Sequence, residues 1–314
     1  MPDVLVAAEL RELLPVDPVP GCEIRWLDAS SPTPGGPYLA IVPLLSRRVG
    51  EAELNGLPQL RIVANCAVGY DNIDLEAAAR RGVIVTNTPE VLTEATADLT
   101  WALILAAARR LKEGQALLVE RRWEGWHPGQ LLGLELNGAT LGVVGAGRIG
   151  QAVARRAAGF GMRVLYSDPA GRPQLEDAGA ERVGLDRLLA ESDVVSVHVP
   201  SSEATRGMFG REAFAQMKPG ALFVNTARGD LVDETALLEA LETGHLGGAG
   251  LDVFAAEPAV PDGLVDHPRA VTLPHVGSAT THTRRAMAEL AARNVQAVLA
   301  GLAPITPVGA AGSR

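Results

Sequence analysis

The sequence predicts an α/β fold in which parallel strands are covered by helices. Short aliphatic runs bounded by Gly, Pro or Asp alternate with Ala-rich amphipathic stretches along most of the 314 residues. Hydrophobic residues make up 47% of the chain and aromatic ones only 4%, so aliphatic side chains and Ala must build the core. The 34 glycines follow no collagen period and predict many tight turns. At roughly 100–200 residues per domain, the length predicts two domains or one large one.

Five strands and one long helix are predicted in the first part of the chain. The strands are short aliphatic runs at 4–7, 24–27, 39–42, 61–65 and 83–86. A Pro- and Gly-rich loop over 31–37 interrupts them. A single helix is predicted over 94–113, because Leu99, Leu103 and Leu111 recur near helical spacing.

Six further strands are predicted beyond residue 140. They are 141–144, 163–167, 194–199, 222–225, 249–252 and 271–273. Six strands make a full dinucleotide-binding sheet, and their near-continuous hydrophobic runs predict burial on both faces. A last helix over 284–302 follows no seventh strand, so we expect it to pack elsewhere.

Charge and cysteine content narrow the classes of partner. The 28 Lys and Arg against 37 Asp and Glu give a net charge of −9, which disfavours nucleic acid and anionic membranes. The longest apolar stretch, 99–108, is too short to cross a bilayer, and the N-terminus lacks a basic, apolar leader. Cys22 and Cys66 make no disulfide framework, and no metal-ligand spacing is present. We therefore predict a soluble cytoplasmic protein without a metal site.

A glycine-rich loop between a strand and a helix gives the most specific local signal. Gly145, Gly147 and Gly150 form G-x-G-x-x-G within T-L-G-V-V-G-A-G-R-I-G. The first glycine permits the tight turn, the second lets the backbone approach a pyrophosphate, and the third lets helix and strand pack closely. The N-terminus of the helix then faces the phosphates, and Arg148 adds a positive charge.

Asp168, at the end of the second strand of this sheet, indicates which dinucleotide binds. Its carboxylate can accept hydrogen bonds from the adenosine ribose and would repel a 2′-phosphate. NAD is therefore the predicted cofactor, with NADP as the alternative. Arg172 is close enough in sequence to affect the preference between NAD and NADP if the loop after the strand folds back.

The last three strands of the predicted sheet end in groups that bind a carboxylate and move a proton. Arg228, Glu257 and His275 follow these strands, where ligands of open parallel sheets bind. Hydride transfer to a ketone leaves charge on oxygen, so a proton donor is needed, and His275 is the candidate. Glu257 would fix its ring, Arg228 would hold a substrate carboxylate, and Asp252 would accept from a nicotinamide carboxamide. Each residue alone is more often structural; the combination favours a site.

These motifs together resemble the D-isomer-specific 2-hydroxyacid dehydrogenases, most of all their glyoxylate/hydroxypyruvate reductases. The resemblance runs from about residue 60 to residue 302 and includes C-A-V-G-Y-D-N-I-D, N-T-A-R-G, G-L-D-V-F-A-A-E-P and P-H-V-G-S-A-T. It implies that Arg228, Glu257 and His275 are the catalytic residues. It also implies that the backbone of Val68 and Gly69 holds the substrate carboxylate.

The resemblance further implies a set of cofactor contacts beside the three loop glycines. They are Thr96, Arg148, Ile149, Asp168, Pro200, Thr205, Thr226, Ala227, Asp252 and Gly277. Related reductases that use NADPH often carry basic residues after the second strand, whereas this chain has Asp168.

The same resemblance predicts two Rossmann-like lobes, one inserted into the other. Residues 1–96 and 284–314 would form the smaller, flavodoxin-like substrate lobe, and 97–283 the doubly wound dinucleotide-binding sheet. A cleft between them would close on substrate. The segment W-E-G-W-H-P resembles one that reaches a partner subunit, which implies a homodimer and a place for Trp126 at the partner's substrate site.

The predicted activity is NAD(P)H-dependent reduction of glyoxylate or hydroxypyruvate to the D-2-hydroxyacid, with His275 as proton donor. Another D-2-hydroxyacid dehydrogenase, phosphoglycerate dehydrogenase included, is the alternative within the class. A dinucleotide-sensing binding protein of the same fold is the alternative outside it.

Overall fold

The computed structural model describes residues 3–309, which form two compact α/β units. One unit consists of residues 3–92 and 278–309, and the other of Thr93–Gly277. The strands are β1 Asp3–Ala7, β2 Glu23–Leu27, β3 Ala40–Val42, β4 Ile62–Ala64, β5 Ile84–Thr86, β6 Thr140–Val144, β7 Arg163–Ser167, β8 Glu181–Arg182, β9 Val194–Val197, β10 Leu222–Asn225, β11 Gly248–Leu251 and β12 Ala270–Thr272. The helices are α1 Glu51–Asn55, α2 Leu75–Arg80, α3 Thr93–Ala108, α4 Leu111–Val119, α5 Arg148–Ala157, α6 Pro173–Glu176, α7 Leu185–Glu191, α8 Arg211–Gln216, α9 Glu234–Glu242, α10 Asp262–Asp266 and α11 Thr281–Leu299.

The discontinuous unit contains a five-stranded parallel sheet. Its strand order, β2-β1-β3-β4-β5, is the flavodoxin-like order. The central strands are apolar and fully buried, as continuous hydrophobic runs predict for a sheet covered on both faces. The last helix, α11, packs on β3 and β4, and the Arg61 guanidinium donates to the Val298 carbonyl oxygen at 2.8 Å.

The Thr93–Gly277 unit contains a seven-stranded parallel sheet in the order β12-β11-β10-β9-β6-β7-β8. The first strand of the unit, β6, lies between β7 and β9, so the strand order reverses beside it. Ligands of doubly wound sheets bind at this reversal, beyond the carboxyl ends of the strands. Two apolar clusters stabilise the sheet, one containing four phenylalanines and the other a Trp101–Phe160 stack.

The predicted fold class is confirmed, and two element predictions are wrong. Six strands were expected in the second sheet, but the structure has seven. The additional strand, β8, consists of two exposed residues and lies at the edge of the sheet. The helix expected over 94–113 is two helices, because Arg110 adopts a left-handed conformation with φ +52°. The Leu134 amide donates to the Ala108 carbonyl oxygen at 2.9 Å, which satisfies a carbonyl at the end of α3.

The other predicted strands are present with ends shifted by one or two residues at most. The two compact units meet in sequence at 92/93 and 277/278, whereas domain boundaries were expected at 96/97 and 283/284. The assignment of the discontinuous unit as the substrate domain stays a prediction. Among residues 3–309, no helix combines the length and apolarity needed to cross a bilayer.

Candidate active site

The glycine loop joins β6 to α5 with the backbone that its sequence predicts. Gly145 has φ +91°, and a Cβ there would lie 2.8 Å from the His198 backbone. A Cβ on Gly150 would lie 2.0 Å from the Gly145 carbonyl oxygen, so only glycine permits this packing. A Cβ on Gly147 would meet no atom within 4 Å, which leaves the backbone open to a ligand. The helix then begins at Arg148 and points its positive dipole end into the loop.

Asp168 lies beside this loop and is held by three donors. Its Oδ2 accepts from the Ala146 amide at 2.9 Å, and its Oδ1 accepts from the Ala170 amide at 2.9 Å and the Arg172 guanidinium at 3.0 Å. Burial acts to raise the pKa of the carboxyl, but these hydrogen bonds outweigh burial and lower the pKa. The loop after β7 therefore folds back, and the carboxylate that would bind the ribose is paired with the Arg172 guanidinium.

Two of the expected cofactor contacts, Thr96 and Thr226, are hydrogen-bonded to one buried hydroxyl that the sequence did not single out. Thr100 Oγ1 donates to the Thr96 carbonyl oxygen at 2.8 Å and lies 2.9 Å from Thr226 Oγ1. A hydroxyl has a single hydrogen, so Thr226 must donate to Thr100 and keeps only lone pairs for a ligand. The signal was present in the sequence, because Thr96 and Thr100 are one helical turn apart.

The segment after β10 is shaped by Asn225, which is 1% exposed. Its side-chain oxygen accepts from the Ala227 amide at 2.9 Å, and its Nδ2 donates to the Arg228 carbonyl oxygen at 2.8 Å. A Cβ on Gly229 would lie 1.9 Å from the Phe254 carbonyl carbon, so this glycine lets the segment pack against the one after β11. The hydrogen bonds of Asn225 and the close packing at Gly229 thus fix the backbone of Arg228.

His275 and Glu257 form a hydrogen-bonded pair. His275 Nδ1 lies 2.8 Å from Glu257 Oε2, and Oε1 of the same carboxylate accepts from the Phe254 amide at 3.0 Å. Burial acts to raise the pKa of Glu257, but the bonds from His275 and Phe254 and the charge of Arg228 lower it. An ionised carboxylate only accepts, so Nδ1 carries a hydrogen and Nε2 is left to exchange a proton.

Asp252 holds the turn on which His275 lies. Its Oδ1 accepts from the Val276 amide at 2.8 Å and its Oδ2 from the Gly277 amide at 2.7 Å. The His275 amide donates to the Asp252 carbonyl oxygen at 2.9 Å, and His275 has φ +52°, in the left-handed region that non-glycine residues disfavour. The expected contact of Asp252 with a carboxamide stays a prediction.

The remaining predicted site residues divide between the two units. Thr205 Oγ1 donates to the Pro200 carbonyl oxygen at 2.7 Å and so closes the turn after β9. Ile149 lies in the first turn of α5. Val68 and Gly69 belong to the discontinuous unit, beyond β4. Trp126 is 79% exposed, in the segment after α4. No three His, Cys, Asp or Glu side chains within residues 3–309 are placed to hold a metal ion.

A glycine loop of this geometry, an acid beside it and a hydrogen-bonded His–Glu pair in the same unit are typical of pyridine-nucleotide-dependent oxidoreductases. Residues 101–277 match the family model described as D-isomer specific 2-hydroxyacid dehydrogenase, NAD binding domain. A glyoxylate reductase of Thermococcus litoralis is 47% identical over 291 residues, which cover 89% of this chain and 88% of the relative. The chain belongs to the D-isomer specific 2-hydroxyacid dehydrogenase family.

Two solved structures extend the similarity to nearly the whole chain. A protein from Thermus thermophilus has a TM-score of 0.88 and 44% identity, and covers 98% of this chain and 100% of its own. An NADPH-dependent glyoxylate/hydroxypyruvate reductase from Sinorhizobium meliloti, solved with NADP and malonate, has a TM-score of 0.86 and 35% identity, with coverage of 98% and 96%. The predicted oxidoreductase class and NAD(P) cofactor are confirmed at the level of the family.

Proposed function

We propose that this chain reduces glyoxylate or hydroxypyruvate to the corresponding D-2-hydroxyacid, with NADH or NADPH as the reductant. The observation that carries the proposal is the His275–Glu257 pair at 2.8 Å, with the positive charge of Arg228 acting on the same carboxylate. Relatives named glyoxylate reductase support the choice of substrate.

The bound cofactor supplies the hydride, and the chain's own residues handle the proton and the carboxylate. His275 Nε2 gives its proton to the keto oxygen while Nδ1–H stays bonded to Glu257. Glu257 stays ionised and stabilises the imidazolium that must re-form between turnovers. The Arg228 guanidinium offers a two-pronged donor to the substrate carboxylate. Backbone amides of Val68 and Gly69 are proposed to bind the same carboxylate.

A steady-state screen of glyoxylate, hydroxypyruvate and pyruvate with NADH and NADPH tests the proposal. We expect turnover with glyoxylate or hydroxypyruvate to exceed that with pyruvate. Higher activity with another 2-keto acid would assign a different dehydrogenase of the family. Tight cofactor binding without turnover of any 2-keto acid would make the chain a dinucleotide sensor.

We also propose a homodimer, on the strength of an exposed apolar surface. Six large apolar side chains between residues 111 and 132 are exposed. They are Leu111, Leu118, Val119, Trp123, Trp126 and Leu132. Such a concentration of exposed apolar side chains in one stretch of the chain is typical of an interaction site, and a second copy would cover it and bring Trp126 to its neighbour's substrate site.

Light scattering after size exclusion tests the dimer. The chain should elute at about twice 32.8 kDa, and the double variant Trp123→Ser, Trp126→Ser should shift toward the monomer and raise the KM for the keto acid. A monomeric wild type would contradict the proposal.

We place the protein in the cytoplasm, since Cys22 and Cys66 are both unpaired thiols; fractionation with periplasmic or membrane markers would overturn this.

A further inference from the structure

The loop of residues 67–70, beyond β4, has all four of its backbone carbonyls occupied. Each carbonyl oxygen accepts a hydrogen bond from within the discontinuous unit. The pairs are Ala67 with the Thr88 amide at 2.8 Å, Val68 with Asn87 Nδ2 at 2.7 Å, Gly69 with Asn65 Nδ2 at 2.7 Å and Tyr70 with the Ile73 amide at 3.0 Å.

The four amides of the same loop have no such partner. Within residues 3–309, the amides of residues 67–70 donate a hydrogen bond to no protein acceptor, whereas the preceding Cys66 amide donates to the Pro43 carbonyl at 3.0 Å. The carbonyl and the amide of one trans peptide group point in opposite directions. Tethering the carbonyls of residues 67–69 therefore fixes the direction of the next three amides. The loop offers consecutive donors with no competing acceptor, an arrangement suited to an anion.

Two asparagine side chains supply the central tethers. A carbonyl oxygen can only accept, so the amide nitrogens of Asn87 and Asn65 must face Val68 and Gly69. Asn65 is fully buried, and its amide is paired with that of Asn72 at 3.2 Å. This pairing leaves the Asn65 side chain no alternative orientation with the same hydrogen bonds.

The backbone of Asn87 is held in turn by the segment beyond α11. Its carbonyl oxygen accepts from Thr306 Oγ1 at 2.6 Å, and its amide donates to the Thr306 carbonyl at 3.3 Å. Asn87 is therefore braced on the side away from the loop, and its Nδ2 is presented to Val68 from a fixed position.

We propose that Asn65 and Asn87 are positioning residues that hold the 67–70 loop with its amides directed at the carboxylate of the 2-keto acid. The inference rests on the proposed function, because it takes the anion to be the substrate's carboxylate. The two asparagines touch neither the keto carbon nor the cofactor in this account. They keep the peptide groups from rotating and so reduce the cost of ordering donors when the anion binds.

Competitive inhibition by oxalate, with glyoxylate as the varied substrate at saturating NADH, tests the role of Asn87. In Asn87→Ala the Ki for oxalate and the KM for glyoxylate should both rise on the order of tenfold. The variant loses the hydrogen bond to the Val68 carbonyl, so the loop amides that bind the anion are no longer held in place. The kcat and the Kd for NADH should stay within about twofold, since binding of the anion is weakened equally in the ground state and the transition state. Asn65→Ser should act in the same direction through the neighbouring peptide group. Asn55→Ala, in α1, removes a side-chain amide that does not contact the loop and should change none of these constants.

The outcomes separate this inference from the proposed function. A wild type that reduces no 2-keto acid contradicts the proposed function. A wild type that reduces glyoxylate, with Ki unchanged in Asn87→Ala and Asn65→Ser, overturns the positioning role and leaves the function standing. A proportional fall in kcat and NADH affinity in both variants would indicate general disruption and also contradict the role.

Discussion

The loops beside Asp168 and His275 and the loop of residues 67–70 are held by side chains of opposite hydrogen-bonding character. In the Thr93–Gly277 unit, Asp168, Asp252 and Glu257 accept from backbone amides, while Asn225 holds the segment after β10 by both accepting and donating. In the discontinuous unit the tethers are the neutral amides of Asn65 and Asn87, which donate to backbone carbonyls.

The difference follows from what each loop must leave available. Tethering carbonyls leaves amides, which suit an anion, and a neutral tether adds no negative charge beside it. Tethering amides with carboxylates adds negative charge, which near His275 stabilises the charged imidazolium. The carboxylate of Glu257 therefore suits the proposed proton transfer at His275, and the neutral asparagines suit the proposed anion.

Removing the proton donor should have the largest effect. His275→Gln should lower kcat by on the order of 10²–10⁴, because glutamine can fill the space but cannot deliver a proton. Steady-state assays measure this, with His245→Gln as the control, since His245 bonds the Phe214 carbonyl and is not a predicted site residue. A near-normal kcat in His275→Gln would remove the histidine from this role.

Replacing the carboxylate clamp should have the next largest effect. Arg228→Lys should raise the KM for the keto acid roughly tenfold or more, because an ammonium cannot donate two parallel hydrogen bonds. The exposed Arg211→Lys provides a matched control in the same unit. If the KM of Arg228→Lys equals that of the wild type, the substrate carboxylate is bound by backbone amides and not by the Arg228 guanidinium.

The choice of cofactor tests the acidic tether itself. Asp168→Ala should raise the NADPH to NADH ratio of kcat/KM on the order of tenfold, because the carboxylate is lost and Arg172 can meet a 2′-phosphate. The double variant with Arg172→Ala should lose that gain. A wild type that already prefers NADPH would contradict the assignment of Asp168.

The smallest expected effect is on stability. The pKa of Asp168 is lowered in the folded state, so its contribution is present above the unfolded pKa of about 3.9 and is lost as pH falls. Asp168→Asn should lower the free energy of unfolding by on the order of 1 kcal/mol at pH 7, from weakened hydrogen bonds. Urea unfolding should show this penalty shrinking below about pH 4; a penalty independent of pH would mean that charge is not involved.

Sequence reasoning singled out most of the residues of the candidate site in the second sheet, because polar residues directly after hydrophobic strands are visible in a sequence. It did not locate Asn65 and Asn87, although they follow β4 and β5 in the same way. The Asn87 tether depends on a tertiary contact between separate segments, which no local pattern encodes.

Sequence patterns did not predict two features of the fold, and each omission has a physical reason. β8 consists of two exposed residues, Glu181 and Arg182, with no alternation to mark a strand. The break between α3 and α4 falls at Arg110 without Gly or Pro, since the Leu134 amide satisfies the Ala108 carbonyl from a distant segment. Both depend on partners remote in sequence.

A crystal structure of the chain with NAD and oxalate tests the central claim most directly. We predict an oxalate oxygen within hydrogen-bond distance of His275 Nε2, with a carboxylate on the Arg228 guanidinium. Oxalate bound away from His275 and Arg228, with the nicotinamide in place, would contradict the assignment of proton donor and clamp.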